Sequence, residues 1–329
     1  MEAFAYAHPT TKQDALNLLT GKWDSTVLLA GGTDLISLMK NPVSTPQRVV
    51  SIRGVKEWNG ISSSAAGLRI GALVTLGEVA DSATVKKEFP ALAAAADDAA
   101  SPQLRHMGTL GGNLCQRPRC WYYRNGFGLF AKDANGKPLV PNGENRYHAI
   151  LGNSGPAYFV NPSTLAPSLL AFGAKIRVVG KSGEREMDLK DFFVIPKNES
   201  EREHAIGPDE ILTEILLPAS SRGMRSANYE VRQKMELDWP LATASVALAM
   251  DGSRVRSAKI VLGHVAPIPW IADGAAATLA GKTITPETAE AAGKAAVAGA
   301  KPLSQNAYKV QIAKVCVKRA LLAAAKEGA

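Results

Sequence analysis

Val27-Leu28-Leu29-Ala30-Gly31-Gly32-Thr33-Asp34-Leu35 is the stretch on which the fold reading turns: a short apolar run that breaks into two glycines, a threonine and an aspartate. An apolar run of this length ending in glycine predicts a buried strand closing in a tight turn. Two successive glycines permit positive φ and a close approach of the backbone to a ligand. Successive N–H groups in such a turn form an anion-binding concavity, to which the Thr33 hydroxyl adds a donor. An ordinary strand–turn–helix connection with Asp34 near an N-cap fits the same residues equally well. Met107-Gly108-Thr109-Leu110-Gly111-Gly112-Asn113-Leu114 repeats the composition between apolar flanks. Two such segments in one chain predict two loops closing on one extended anion, such as a dinucleotide diphosphate.

Outward from the first segment, residues 14–19 read as a short amphipathic helix behind a threonine cap. Residues 36–40 read as a helix stopped by Asn41-Pro42, and 48–52 as the next strand, giving a compact βαβ-like unit. A second unit opens with a strand from 68, with Thr75 capping a helix to 79 and an alanine-rich helix over 90–98. Residues 117–148 are irregular, which in a compact domain marks a functional segment or an insertion. A strand is expected at 157–160 and a helix at 162–172. A hairpin of 175–179 with 185–189 turns at Ser182-Gly183, and a strand at 211–217 ends at Pro218. The composition shifts near 220–223. Three longer strands (227–234, 241–251, 255–265) then precede helices over 271–280, 286–298 and 306–326, the pattern of an α+β domain.

The chain has 329 residues, 46% hydrophobic and 21% charged, which suits a soluble globular protein of two or three domains. Aromatics at 6% and the absence of a basic helix argue against nucleic acid. The net charge of +8 is scattered, with one concentration at Arg105, Arg117, Arg119 and Arg124; an anionic cofactor and an acidic protein partner account for it best. No stretch is apolar enough to span a bilayer and the start carries no signal-peptide pattern, so a cytoplasmic protein is expected. Three cysteines without framework spacing exclude a disulfide scaffold. No Ser/His/Asp set, acid–base carboxylate pair or metal-ligand spacing is visible. The chemistry is therefore expected to come from a bound cofactor.

The two glycine segments, together with Pro162-Ser163, Asp209-Glu210-Ile211-Leu212 and Leu262-Gly263-His264-Val265-Ala266-Pro267-Ile268-Pro269-Trp270, resemble the FAD-binding medium subunits of the xanthine dehydrogenase family of molybdenum hydroxylases. The subgroup most similar contains the 4-hydroxybenzoyl-CoA reductase and aldehyde oxidoreductase subunits. The resemblance covers nearly the whole chain. It implies a two-subdomain FAD-binding fold of the vanillyl-alcohol-oxidase type over 1–220, with subdomains at about 1–55 and 56–220, and a small C-terminal α+β domain over 223–329. It implies non-covalent FAD held by Leu28, Leu29, Ala30, Gly31, Gly32, Thr33 and Asp34 on one side and Gly108, Thr109, Gly111, Gly112 and Asn113 on the other. Asn113 would serve ribityl hydroxyls, position 164 the adenosine end, and Leu212 the flavin. Thr164 replaces the aspartate common in relatives, and Glu230 stands where many place a lysine near the flavin.

In that subgroup the 115–148 loop holds a [4Fe–4S] cluster on four cysteines. Here the loop keeps Cys115 and Cys120, and Cys316 lies far along the chain. Four thiolates are the ordinary requirement, so no cluster is expected even with a histidine from His106 or His148. Trp121, Tyr122 and Tyr123 are expected to mark a protein interface, Arg105 and His106 to lie near a phosphate or in solvent, and His264 to be structural. The resemblance implies a molybdopterin-binding large subunit and a [2Fe–2S] small subunit as partners, with electrons passing through FAD to an external acceptor: oxygen, NAD, quinone or ferredoxin. It leaves open co-export to the periplasm with a partner. A stand-alone flavin oxidase is the alternative from another class, and an assembly scaffold with a degenerate flavin site a third.

Overall fold

The computed structural model describes residues 1–234 and 238–326. The chain opens with β1 (Ala5–Ala7), α1 (Lys12–Asn17), β2 (Thr26–Leu29), α2 (Leu35–Lys40) and β3 (Arg48–Ser51). These strands pair in parallel in the order β1-β3-β2, with Val27 beside Val49 and Leu28 beside Val50. Parallel neighbours need a crossover, and α2 supplies it. The expected βαβ-like unit is present. The edge strand β1 is an addition, too short to show a period in the sequence.

Next come β4 (Ile61–Ser64), β5 (Gly67–Gly71), α3 (Leu76–Asp81), α4 (Ala83–Glu88), α5 (Pro90–Asp97), α6 (Pro102–Arg105), α7 (Leu110–Cys115), α8 (Trp121–Arg124) and α9 (Ala166–Ala171). The unit closes with β6 (Lys175–Gly180), β7 (Gly183–Asp188), α10 (Leu189–Phe192) and β8 (Glu210–Pro218). Its antiparallel sheet runs β4-β5-β8-β6-β7. Thr75 caps α3 through a capping box with Glu78, Ser82 caps α4, and Pro90 opens α5, where its missing N–H costs nothing. Leu68, Ile70, Leu92, Leu110, Leu114, Leu169, Ile176 and Ile215 form the core beneath the sheet, each removal from water stabilising by about 1.5–3 kcal/mol.

The remainder is β9 (Arg225–Val231), β10 (Ala242–Asp251), β11 (Arg254–Gly263), β12 (Trp270–Ile271), α11 (Asp273–Ala277), α12 (Pro286–Ala296) and α13 (Tyr308–Lys326). The sheet β12-β11-β10-β9 is covered on one face by α13 and, over β11, by α11; α12 packs on α13, where alanines allow close approach, and a Cβ on Gly293 would lie 2.6 Å from the Lys314 carbonyl oxygen. From the same sheet, Ala247 and Val261 join the core of the preceding unit.

Three expectations change. Residues 157–160 form no strand: Ala157 and Phe159 are buried, and Tyr158 offers its carbonyl only to the Ala149 N–H. The second glycine segment is the start of α7, not a loop. The helix expected over 162–172 begins at Ala166, behind a turn in which Asn161 and Ser163 accept backbone N–H bonds.

Candidate functional site

The turn after β2 carries the first glycine pair. Gly32 has φ +76°, a region closed to most side chains. A Cβ on Gly31 would fall 1.9 Å from the Met107 carbonyl oxygen, and one on Gly108 would lie 3.4 Å from Thr33 Oγ1. These glycines bring the two segments into contact with each other, a role beyond the ligand approach read from sequence. Among the described residues, the N–H groups of Gly31, Gly32, Thr33 and Asp34 donate no hydrogen bond within the protein. Backbone donors are rarely left unpaired, so four together at one turn fit an anion.

The second segment is built differently. Thr109 caps α7, its hydroxyl accepting from the Gly112 N–H at 3.1 Å. The N–H groups of Leu110, Gly111 and Asn113 donate to Val74 O, Ala72 O and Thr109 O. A Cβ on Gly111 would lie 2.7 Å from that of Ala72. The expected pair of amide loops is therefore corrected: the donors here are spent internally, on the neighbouring 72–74 backbone and on the Thr109 cap. Asn113 is likewise engaged. Its Oδ1 accepts from Ser163 Oγ (2.7 Å) and the Leu165 N–H (3.3 Å), and its Nδ2 donates to Thr164 Oγ1 (3.1 Å). One amide hydrogen of Asn113 is left without a partner among the described residues.

Two clefts meet at Thr33 and Asp34, and a more open one of about 400 Å³ lies on the other side of the turn, against Ile36, Lys40 and Met107. The larger, of about 470 Å³, includes Leu28, Ala30, Gly31, Gly111 and Leu212 in its wall. The smaller, of about 220 Å³, includes Gly108, Asn113, Thr164 and Arg232. Thr33, Asp34, Thr109 and Gly112 line both. Leu29 lies beneath the turn, within 3.1 Å of where a Gly32 Cβ would be. Thr164 and Leu212 thus fall on different clefts. Glu230 reaches the Thr164 cleft only through its ion pair with Arg232.

Asp34 has a role the sequence did not reveal. It gives α2 no side-chain cap; its Oδ1 instead takes Arg124 Nη2 at 2.8 Å and Arg119 Nη2 at 3.0 Å, and its Oδ2 accepts from the Arg117 N–H at 2.9 Å. The Arg117 side chain pairs with buried Glu203 and lies over the Tyr123 ring. The 117–124 segment is thereby fastened beside the glycine turn. Burial and the neighbouring Arg124 pull the Arg119 guanidinium down to about 10 against the opposing pull of Asp34. Arg105 is spent on Ala99 O and Ala100 O, each at 3.2 Å, so it is not at the site. His106 packs its ring toward Gly77.

The cysteines are weak nucleophiles here. Burial pushes the Cys115 thiol up to about 12 and raises Cys120, whose Sγ lies 3.2 Å from His148 Nε2. Among the described residues no group of three or more His, Cys, Asp or Glu side chains is placed to hold a metal ion. Tyr123 is buried, Trp121 packs on Tyr147, and the Tyr122 hydroxyl accepts the Glu144 N–H, so these aromatics organise the loop itself.

Burial holds His148 at about 4 and His264, one residue past β11, at about 3, with Lys309 adding to both shifts. Below pH 6.5 the unfolded chain takes up protons that these folded-state rings refuse. Stability is therefore expected to fall as pH drops from about 6.5 toward 4. His264→Asn, which tolerates the positive φ of that position, should flatten the slope of denaturation midpoint against pH; an unchanged slope would exclude His264 as a source.

The family whose description is FAD binding domain in molybdopterin dehydrogenase matches residues 2–220, and the CO dehydrogenase flavoprotein C-terminal domain matches 227–324. The chain is 30% identical to the aldehyde oxidoreductase FAD-binding subunit PaoB of Escherichia coli, over 95% of this chain and 96% of that protein. It is 29% identical to the carbon monoxide dehydrogenase medium chain of Hydrogenophaga pseudoflava, over 98% and 96%. A solved carbon monoxide dehydrogenase from Hydrogenophaga pseudoflava, lacking the Mo-pyranopterin moiety of its cofactor, superposes with a TM-score of 0.76 at 27% identity, covering 98% of this chain and 97% of that one. The chain belongs to the FAD-binding subunits of the molybdopterin dehydrogenases, and its cofactor is FAD.

Proposed function

We propose that the chain is the middle member of an electron relay, receiving electrons from an iron–sulfur partner fed by a molybdopterin-binding subunit and passing them to an external acceptor. The names of its relatives, FAD-binding subunits and medium chains of dehydrogenases, support this reading over that of a stand-alone oxidase. Bound FAD supplies the redox chemistry; the protein binds, orients and shields it. The observation that carries the reading is the set of four unspent N–H groups at Gly31–Asp34, all on the larger cleft, with Thr33 and Asp34 shared with the smaller one.

In this arrangement the Gly31–Asp34 amides and the Thr33 hydroxyl hold the diphosphate, with Thr109 and Gly112 closing the seam. We place the adenosine in the larger cleft, against Leu28, Ile211 and Leu212, where Arg117 is paired with Glu203 and, among the described residues, Glu203 Oε2 and His204 Nε2 have no hydrogen-bond partner. The isoalloxazine goes to the smaller cleft, whose rim exposes Leu104 (44%) and Trp239 (41%) to a partner or acceptor. This reverses the ends expected for Thr164 and Leu212. It keeps Thr164 and the Glu230–Arg232 pair together, as the structure has them.

The chain purified alone should carry a yellow chromophore and no iron, and denaturation should release the flavin. A folded protein that refuses FAD would sink the reading. Flavin that stays attached after denaturation would favour the stand-alone oxidase, which often tethers its cofactor. No helix among the described residues is long and apolar enough to cross a membrane. A cytoplasmic site, with periplasmic co-export as the other reading, is our expectation for the complex.

A further inference from the structure

Resting on the placement of the isoalloxazine in the smaller cleft, we propose that Arg232 is the cation that faces the ring and stabilises the charge it acquires on reduction, and that Glu230 is the residue that positions Arg232 for it. Arg232 lies one residue past the end of β9 and lines the cleft together with Asn113, Thr164 and a second arginine, Arg119, which is paired with Asp34. Its side chain is 7% exposed. The guanidinium is held from two sides: the Glu230 carboxylate pairs with it from β9, and it donates to the carbonyl of Asp98, just beyond the end of α5, whose carboxylate also acts on Arg232 and Glu230. Glu230 sits opposite Thr243 of β10, which offers no charge. From α13 the facing groups are the Cys316 thiol and Arg319, the latter bonded to Tyr229.

The acid is kept at a cost. Burial pushes Glu230 up to about 7 while Arg232 opposes the shift, so an amide or an apolar residue would be cheaper in the same place. A buried carboxylate is weak evidence for stability, and its use is more often to fix a partner in one geometry. The partner it fixes here is a planar cation in the wall of a cofactor cleft. Two electrons and one proton convert the neutral isoalloxazine to an anion at neutral pH. A guanidinium beside it, in a site with little water, favours the reduced form over the oxidised one.

The test uses the full chain loaded with FAD. Arg232→Gln should lower the preference for reduced over oxidised flavin about tenfold, a fall of about 30 mV in midpoint potential for a two-electron couple. It should also weaken sulfite binding to the oxidised ring, which places negative charge there, by a similar factor. Arg232→Lys should restore most of both effects. Glu230→Gln should give an intermediate fall in both if the carboxylate aims Arg232 at the ring, whereas loss of its own negative charge alone would raise both, so a rise overturns the positioning role. If Arg232→Gln retains FAD at the parent's potential and sulfite affinity, the inference is wrong. If that variant does not retain FAD, an unchanged potential in Glu230→Gln overturns it instead. A parent chain that fails to bind FAD condemns the functional reading, not this step.

Discussion

Gly31→Ala is expected to yield a chain that no longer holds FAD. The added methyl would come within 1.9 Å of the Met107 carbonyl oxygen, and the obstacle is backbone, so no rotamer change relieves it. The two glycine segments must separate by an ångström or more, which opens the seam at Thr33 and Thr109. Overpacking of this kind costs about 1–3 kcal/mol, and the upper end applies where only backbone can give way. Displacing the Gly31–Asp34 amides should raise the dissociation constant for FAD by two orders of magnitude, equivalent to about 2.7 kcal/mol. Quenching of flavin fluorescence measures that affinity directly. Gly21→Ala is the control: a Cβ there meets nothing within 4 Å, and its φ lies outside the positive range. Equal FAD affinity in the two variants would remove the contact between segments from the explanation.

Asp34→Ala should be nearly as damaging by a different route. It removes the carboxylate from Arg119 and Arg124, which are 24% and 14% exposed and keep only neutral partners (Gln116 Oε1 for Arg119, the Pro118 and Arg117 carbonyls for Arg124), and leaves the Arg117 N–H without its acceptor. Breaking a buried pair costs about 3–5 kcal/mol; the residual solvent contact of both arginines brings this to about 2–4 kcal/mol. The damage should appear in the apoprotein, as a lower denaturation midpoint and as new cleavage within 117–124 under limited proteolysis. Asp34→Asn keeps an acceptor for the Arg117 N–H and should lose roughly half as much. An apoprotein of unchanged stability that has lost only FAD affinity would show that Asp34 is a ligand to the cofactor and not the fastening of the loop.

That pairing shows where the sequence stops speaking. The Gly31-Gly32-Thr33 turn, the parallel β2 and β3 around it, the β6–β7 hairpin and the long C-terminal strands were all legible, because turn chemistry and apolar periodicity are local signals. Asp34 looked like a cap or a diphosphate neighbour because its arginine partners lie 83 to 90 positions onward. Gly111 and Gly112 looked like a loop because glycine disfavours helix interiors by about 1 kcal/mol; contact with Ala72 and the Thr109 cap override that preference. Residues 157–160 have the apolar composition of a strand, yet they lie where no ladder partner reaches them. Arg232 carried no signal at all, since only the fold brings it beside Asn113 and Thr164.

The distances along the chain have a kinetic meaning too. Asn113 meets Thr164 across 51 positions, Asp34 meets Arg124 across 90, and Arg232 meets Asp98 across 134. A site stitched from contacts so remote exists only after the large loops have closed, late on the folding route. FAD therefore has nothing to grip in the transition state. Its binding energy is realised in the finished fold and appears as slower unfolding, with refolding unchanged. In a cell short of flavin the chain would fold at its normal rate and be lost sooner.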